Sequence, residues 1–258
     1  MKGSLRPLGL SLCIATVVLA SSWTFAQPPL PNLAALQQAI TQADALETQG
    51  LNLNLPLVAE DGSAVPLKVQ FNAPLAEGEW ITQLRVFASG NPNAEVIDFE
   101  PSAAISQLEF SSRIRLSESQ DVYVLASSNQ GRQWLASRQV RVTLSGCLMS
   151  GDEDTTQMGM SQPRIALPRQ AQAGKPAEIR TLINHPMETG FRETASGETL
   201  AASLVDHLVI SRAGETLLRV KFYTGTSANP FVSFFLDQQD QLTFTWTDDQ
   251  GQQIQETR

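Results

Sequence analysis

An all-β fold, built as two immunoglobulin-like β-sandwich domains with a short N-terminal helix, is predicted by this sequence of 258 residues. Three observations carry that prediction. Apolar residues alternate with polar ones in short runs through most of the chain. Clusters such as Asn91-Pro92-Asn93 and Asn129-Gln130-Gly131 punctuate those runs at the spacing of turns. Between Ser145 and Gln162 neither period is present, and Gly, Ser, Thr and acids concentrate there, which separates two halves of about a hundred residues each.

The first segment is of another kind. Lys2 and Arg6 precede an apolar run from Leu8 to Ala20, and the small residues Thr24 and Ala26 precede Gln27. This pattern predicts a secretory signal peptide over residues 1–26. Leu12 stands directly before Cys13 and most of the apolar run follows it, which argues against a lipid-attachment cysteine. The mature product is expected to be soluble and periplasmic or extracellular, with no membrane association after cleavage. No later stretch approaches the ~18 apolar residues of a membrane span. Removing Lys2 and Arg6, and no acid, moves the formal charge from −8 to −10. A nucleic-acid partner is disfavoured, because phosphate neutralisation needs clustered Lys and Arg.

The elements follow in order. From Asn32 to Thr48, Leu33, Leu36, Ile40, Ala43 and Leu46 recur at steps of three and four and predict one amphipathic helix, with Gly50 placed to end it. The period then changes to two. Leu51 to Leu57 and Val65 to Phe71 flank Glu60-Asp61-Gly62-Ser63 as a hairpin would. Further strands are expected at Leu84–Ala88, Glu95–Phe99, Leu108–Leu116, Val122–Ala126 and Trp134–Leu144. After a linker at 148–162, the second domain, 163–258, shows runs at Glu178–Asn184, Ser203–Ser211, Leu217–Tyr223, Phe231–Asp237 and Leu242–Thr247. Ala213-Gly214-Glu215 joins two of them as a hairpin.

Little in the chain suggests catalysis. Beyond the leader there are two histidines, His185 and His207, and a nucleophile needs a base within reach, held by a third group. His207 alternates with Val205 and Val209 and is expected on their shared face. His185 precedes Pro186 in a turn where exposure is possible. No H-E-x-x-H or C-x-x-C spacing and no phosphate-binding loop occurs, so no catalytic residue, metal site or cofactor is assigned.

Cys147 is the thiol that survives leader removal. An ordinary thiol of pKa ~8.5 is only a few per cent thiolate at neutral pH, and Asp152, Glu153 and Asp154 would lower that fraction. Such a thiol suits a carrier whose sulfur is activated in the active sites of other proteins. A buried structural cysteine, or one that pairs two chains, is the plainer reading. Cys147, Met149, Met158 and Met160, joined by His185 and Met187, could instead bind Cu(I), which thiolate and thioether ligands select.

A resemblance sharpens these expectations. Residues 181–192, Thr-Leu-Ile-Asn-His-Pro-Met-Glu-Thr-Gly-Phe-Arg, closely resemble the signature of SoxZ, a subunit of the bacterial sulfur-oxidising carrier complex. Asn229-Pro230-Phe231, residues 242–247 and Asp249-Gln250-Gly251 agree with the rest of that pattern. Residues 27–147 resemble SoxY through the Leu51–Phe71 region, Asn91-Pro92-Asn93, residues 112–116, and Val140 to Cys147. The order suggests a single-chain SoxYZ carrier. In layout it is similar to fused proteins associated with quinoprotein alcohol dehydrogenases.

The resemblance implies that Cys147 is the covalent attachment site for sulfur-compound intermediates of the thiosulfate-oxidation type. Separate periplasmic sulfur-oxidising, quinoprotein or cytochrome redox enzymes would load and process them, and the chain itself would not be an enzyme. His185, Met187, Glu188 and Arg192 lie in a turn, with Glu188 and Arg192 spaced for an ion pair, that either shapes the surface facing the first domain or faces a partner enzyme. Packing between the two domains is implied as well. Two departures stand out: Ser145-Gly146 and Leu148-Met149 flank the cysteine where the family has glycine pairs, and the fusion tethers the cysteine at both ends. The alternative from a different class is a non-covalent or Cu(I)-handling accessory of a quinoprotein dehydrogenase.

Overall fold

Alternation of apolar side chains along short strands gives each strand one face to bury, and the computed structural model closes those faces into two sheets. It describes residues 33–41, 45–144, 159–168, 174–193, 196–237 and 241–258; residues 1–26, expected as a signal peptide, Cys147, and most of residues 148–162, expected as a linker, lie outside these. A short helix, α1 (Ala34–Ala39), is followed by β1 (Leu51–Asn54), β2 (Val58–Asp61), β3 (Val65–Phe71), β4 (Ile81–Ala88), β5 (Glu95–Pro101), β6 (Glu109–Ile114), β7 (Gln120–Ser128) and β8 (Gln133–Leu144). The second half supplies β9 (Arg164–Ala166), β10 (Ala177–Leu182), β11 (Val205–Arg212), β12 (Glu215–Phe222), β13 (Phe231–Leu236), β14 (Leu242–Asp248) and β15 (Gln253–Thr257). No helix among the described residues is long and apolar enough to cross a membrane.

Both sheets run through both halves. One has the order β1-β3-β6-β13-β10-β9 and the other β15-β14-β11-β12-β5-β4-β7-β8-β2. In the larger sheet β5 pairs antiparallel with β12, setting Asp98 opposite Lys221 and Ile97 opposite Phe222. In the smaller one β6 meets β13 at Ser111 and Ser233, and the Ser112 hydroxyl donates to the Phe231 carbonyl at 2.8 Å. The halves therefore share backbone ladders and one compact unit, Pro31–Arg258, in place of a surface contact between separate sandwiches.

The core lies between the sheets. Phe99 stacks on Phe110 at 5.1 Å and Phe222 on Trp246 at 5.7 Å, while Trp134 meets the edge of Phe71 at 4.8 Å. Each such side chain contributes on the order of 1.5–3 kcal/mol by leaving water. Ile97, Leu218, Val220 and Phe234 continue the same buried cluster across the seam.

Three local expectations are corrected. The helix covers six residues, not Asn32–Thr48, and Gly50 does not end it. It has no side-chain cap, and the chain beyond it is captured by β8: the Thr41 amide donates to Gln133 Oε1 at 2.8 Å, the Gln133 amide group donates to the Ala39 carbonyl, and Glu47 forms a parallel bridge to Trp134. The hairpin before Phe71 is split. β1 pairs with β3, but β2 leaves for the other sheet and runs parallel to β8. On β11 a register shift between Val205 and His207 moves the apolar face by one residue. Val205, Leu208 and Ile210 are buried, and His207 lies on the opposite face at 26% side-chain exposure, its Nδ1 2.7 Å from Asp206 Oδ2.

Candidate functional site

Cys147 follows Leu144, the last residue of β8, by three positions. That strand end is fixed by the parallel pairing of Leu144 with Asp61. After residues 145–158 the chain is described again from Gly159, and the Ser161 amide donates to the Asn184 carbonyl at 3.2 Å. The returning chain at Ser161 thus adjoins Asn184, the residue before His185.

The turn that follows β10 is built inward. The Ile183 amide donates to the Pro230 carbonyl and the Asn229 amide to the His185 carbonyl, while Asn229 Oδ1 accepts from the His185 amide at 3.1 Å. His185 is 2% exposed, which corrects the expectation of an exposed ring. Its Nδ1 accepts the Met187 N–H at 3.1 Å, leaving the ring proton on Nε2, 3.5 Å from Ser203 Oγ. Burial lowers its pKa, opposed by the charges of Asp248 and Asp249, and the ring is neutral at pH 7. Ser203 and His185 have the spacing of a loose nucleophile–base pair, but a base must accept the hydroxyl proton, and this Nε2 carries its own.

Met187 is fully buried with φ of 53°, and its Sδ accepts the Val205 N–H at 3.2 Å. Glu188 Oε2 accepts from Arg192 Nε at 3.0 Å and lies 2.9 Å from Nη2, while its Oε1 accepts the Thr189 N–H. The ion pair read from the sequence is present. His185, Met187 and Glu188 are buried, and the large apolar side chain that this turn presents to solvent is Phe191, 45% exposed.

Arg115, just beyond β6, reaches this turn from the other half. Its Nη1 donates to the Met187 carbonyl at 2.6 Å and its Nη2 to the Pro186 carbonyl at 2.9 Å. Burial draws its pKa down, the Glu188 carboxylate opposes that shift and Arg192 adds to it. A guanidinium remains charged regardless. Arg115 was not marked by the sequence as a site residue, because its acceptors are main-chain oxygens. A second unmarked group sits on the seam: Asp98 on β5, 3% exposed, accepts from the Tyr223 hydroxyl at 3.1 Å and lies 3.5 Å from Arg85 Nε. Desolvation raises the Asp98 pKa to about 6, against the pull of Arg85 and the Tyr223 hydrogen bond.

Of the residues considered for soft-metal binding, Met160 and Met187 lie in the apolar core. Cys147, Met149 and Met158 lie outside the described residues. Among the described residues no group of three or more His, Cys, Asp or Glu is placed to hold a metal ion.

Comparison with known families bears on both halves. The model of the family described as "Sulfur oxidation protein SoxY" matches residues 36–147, and that of "Sulphur oxidation protein SoxZ" matches residues 165–258. The chain belongs to the fused SoxYZ-like proteins. The SoxY match ends on Cys147 itself, and the SoxZ match contains the whole 181–192 turn. Among solved structures, the sulfur carrier protein SoxY from Chlorobium limicola f thiosulfatophilum is similar at 24% identity, over 43% of this chain and 94% of that one, with a TM-score of 0.36. A superoxide reductase (neelaredoxin) from Ignicoccus hospitalis is similar at 15% identity, over 42% and 86%, with a TM-score of 0.33. No curated protein matches the chain. The two family matches support a carrier role in sulfur oxidation for the fused SoxYZ-like chain.

Proposed function

We propose that this chain is an exported carrier protein that holds sulfur-compound intermediates covalently on Cys147 and presents them to partner enzymes, without itself being a catalyst. The observation that carries this reading is the SoxY match ending at Cys147, in a chain whose other half matches SoxZ. Loading with thiosulfate would form an S–S bond between Sγ and the outer sulfur of the donor. The thiol proton goes to water, and the two electrons released go to the redox centre of a periplasmic partner of the cytochrome or quinoprotein class. The product, a cysteine S-thiosulfonate, carries one negative charge at its far end and is a substrate for later oxidation and hydrolysis elsewhere.

An ordinary thiol is only a few per cent thiolate at neutral pH, so an unloaded carrier sulfur of that kind reacts slowly until a partner activates it. Sulfur-compound oxidation by the native system, compared between the wild-type chain, Cys147→Ser, and a chain with Met149, Met158 and Met160 changed to Leu, tests the proposal. Loss with the serine variant alone supports it. Loss with both points to soft-metal binding, and loss with neither overturns the carrier role.

A further inference from the structure

We infer that β2 is a docking edge: its free side takes up, as an added strand, an extended segment of another protein in which apolar residues alternate with Lys or Arg. Each sheet ends in two edge strands, β1 and β9 in the smaller and β15 and β2 in the larger. An edge offers unpaired amides and carbonyls to any chain that can lie beside it, and polar side chains are the usual guard against that. β15 is guarded in this way, with Gln253, Gln255 and Thr257 exposed and Glu256 paired with Arg258. β1 exposes Asn52 and Asn54, and β9 exposes Arg164 and Ala166. β2 differs. Leu57, just before it, and Val58, its first residue, are 69% and 49% exposed, an adjacent pair of large apolar side chains on the rim of the larger sheet.

Pairing with β8 uses one side of β2. The Leu57 carbonyl accepts the Arg141 N–H at 2.9 Å, and Ala59 lies opposite Val142. Backbone groups of successive residues point to opposite sides of a strand, so the amide and carbonyl of Val58 and the amide of Glu60 face away from β8. The Glu60 carbonyl is taken by the Thr143 hydroxyl at 3.1 Å. Ala59 is buried, which fixes Val58 and Glu60 on the other face of the strand.

Charge selects the occupant. Glu60 is exposed, Asp61 follows it with its carboxylate held by Ser63, and Arg141 sits across from Val58 on the side away from the free edge. A second copy would bring Glu60 and Asp61 against their own kind, in a chain of net charge −8. An extended segment with alternating cations instead sets Lys or Arg beside Glu60 on one face, lays an aliphatic stem over Val58, and brings apolar side chains to Leu57 on the other. The docking edge is independent of Cys147, so loss of the carrier reading leaves it standing.

The test titrates the full chain with three blocked peptides of about eight residues: one alternating Val and Lys, one alternating Val and Glu, and the Val–Lys peptide with every second amide N-methylated. Fluorescence anisotropy reads affinity, and amide hydrogen exchange followed by NMR reads the place. The Val–Lys peptide should bind and slow exchange at Val58 and Glu60, and the other two should not. Val58→Pro removes an outward N–H and leaves the ladder to β8 in place, so it should weaken binding about fivefold or more. Glu60→Lys should weaken it about threefold and turn the preference toward the Val–Glu peptide. Gln255→Lys, on β15, should change neither. Should Val58→Pro fail to fold, Val58→Lys takes its place. No binding, slowed exchange elsewhere, equal binding of the methylated peptide, or wild-type affinity in a folded Val58 variant overturns the inference. So does a dimer in sedimentation that Val58→Pro abolishes, since a second copy would then be the occupant.

Discussion

Arg115 Nη1, in the SoxY half, donates to the main-chain oxygen of Met187, in the SoxZ half, across 2.6 Å. With the companion bond to Pro186, it replaces the solvent that both carbonyls would otherwise need. Changing Arg115 to Met removes the donor from two carbonyls, those of the buried Met187 and the half-buried Pro186, and should cost roughly 2–4 kcal/mol, with Arg115→Lys costing less. The midpoint of urea unfolding reads the difference, and an unchanged midpoint would mean that water satisfies those carbonyls.

Asp98 gives the seam a pH dependence. Its folded pKa of about 6 lies above the ~3.9 of an unfolded aspartate, so the protonated side chain is the one the fold prefers. Its favourable contribution is present below about pH 4 and is lost as pH rises through about 6. Arg85, Glu95, Glu100, Lys221 and Tyr223 are the charged and titratable groups around it, and they enter the same balance. Asp98→Asn should therefore be more stable than wild type at pH 7.5, by at most about 3 kcal/mol, and nearly equal to it at pH 4. Thermal unfolding at the two pH values checks the sign.

Ala213 and Gly214, between β11 and β12, both have positive φ, 50° and 86°. That is the two-residue hairpin geometry in which Asn and Gly are favoured and a β-carbon is strained. Ala213→Asn should stabilise the protein by about 0.5–1 kcal/mol, seen as a raised Tm.

Gly50 is constrained in the other direction. Its φ is 84°, and a β-carbon there would sit 2.5 Å from the Ala73 side chain, beside the bond from the Asn72 amide to the Gly50 carbonyl. Gly50→Ala should cost about 2–4 kcal/mol from backbone strain and crowding together. Denaturant titration of that variant tests the crowding, which a neutral result would refute.

The strands with a buried face, β3 to β8 and β10 to β14, were legible because alternation is the direct trace of a half-buried strand. β9, with Arg164 and Ala166 exposed, and β15, a row of polar residues around Ile254, leave no such trace, and pairing at a sheet edge is what makes them strands. The seam was illegible for a related reason: nothing in the alternation of β5 or β12 says which strand lies beside it. His207 was placed on the wrong face because a bulge is a single inserted residue with no signature of its own. At the site, the Glu188–Arg192 pair could be read from spacing, whereas the burial of His185 depends on Asn229 and Ser203, 44 and 18 residues away. Arg115 binds main-chain oxygens, and those have no letter in a sequence.

Whether Cys147 holds cargo is measured most directly by intact-mass spectrometry, without reductant, on protein purified from its native host during active sulfur metabolism, repeated after a mild thiol reductant. A reducible adduct on the Cys147 peptide, in steps of sulfur or sulfonate mass, is predicted. A free, unmodified thiol under those conditions would contradict the covalent carrier role.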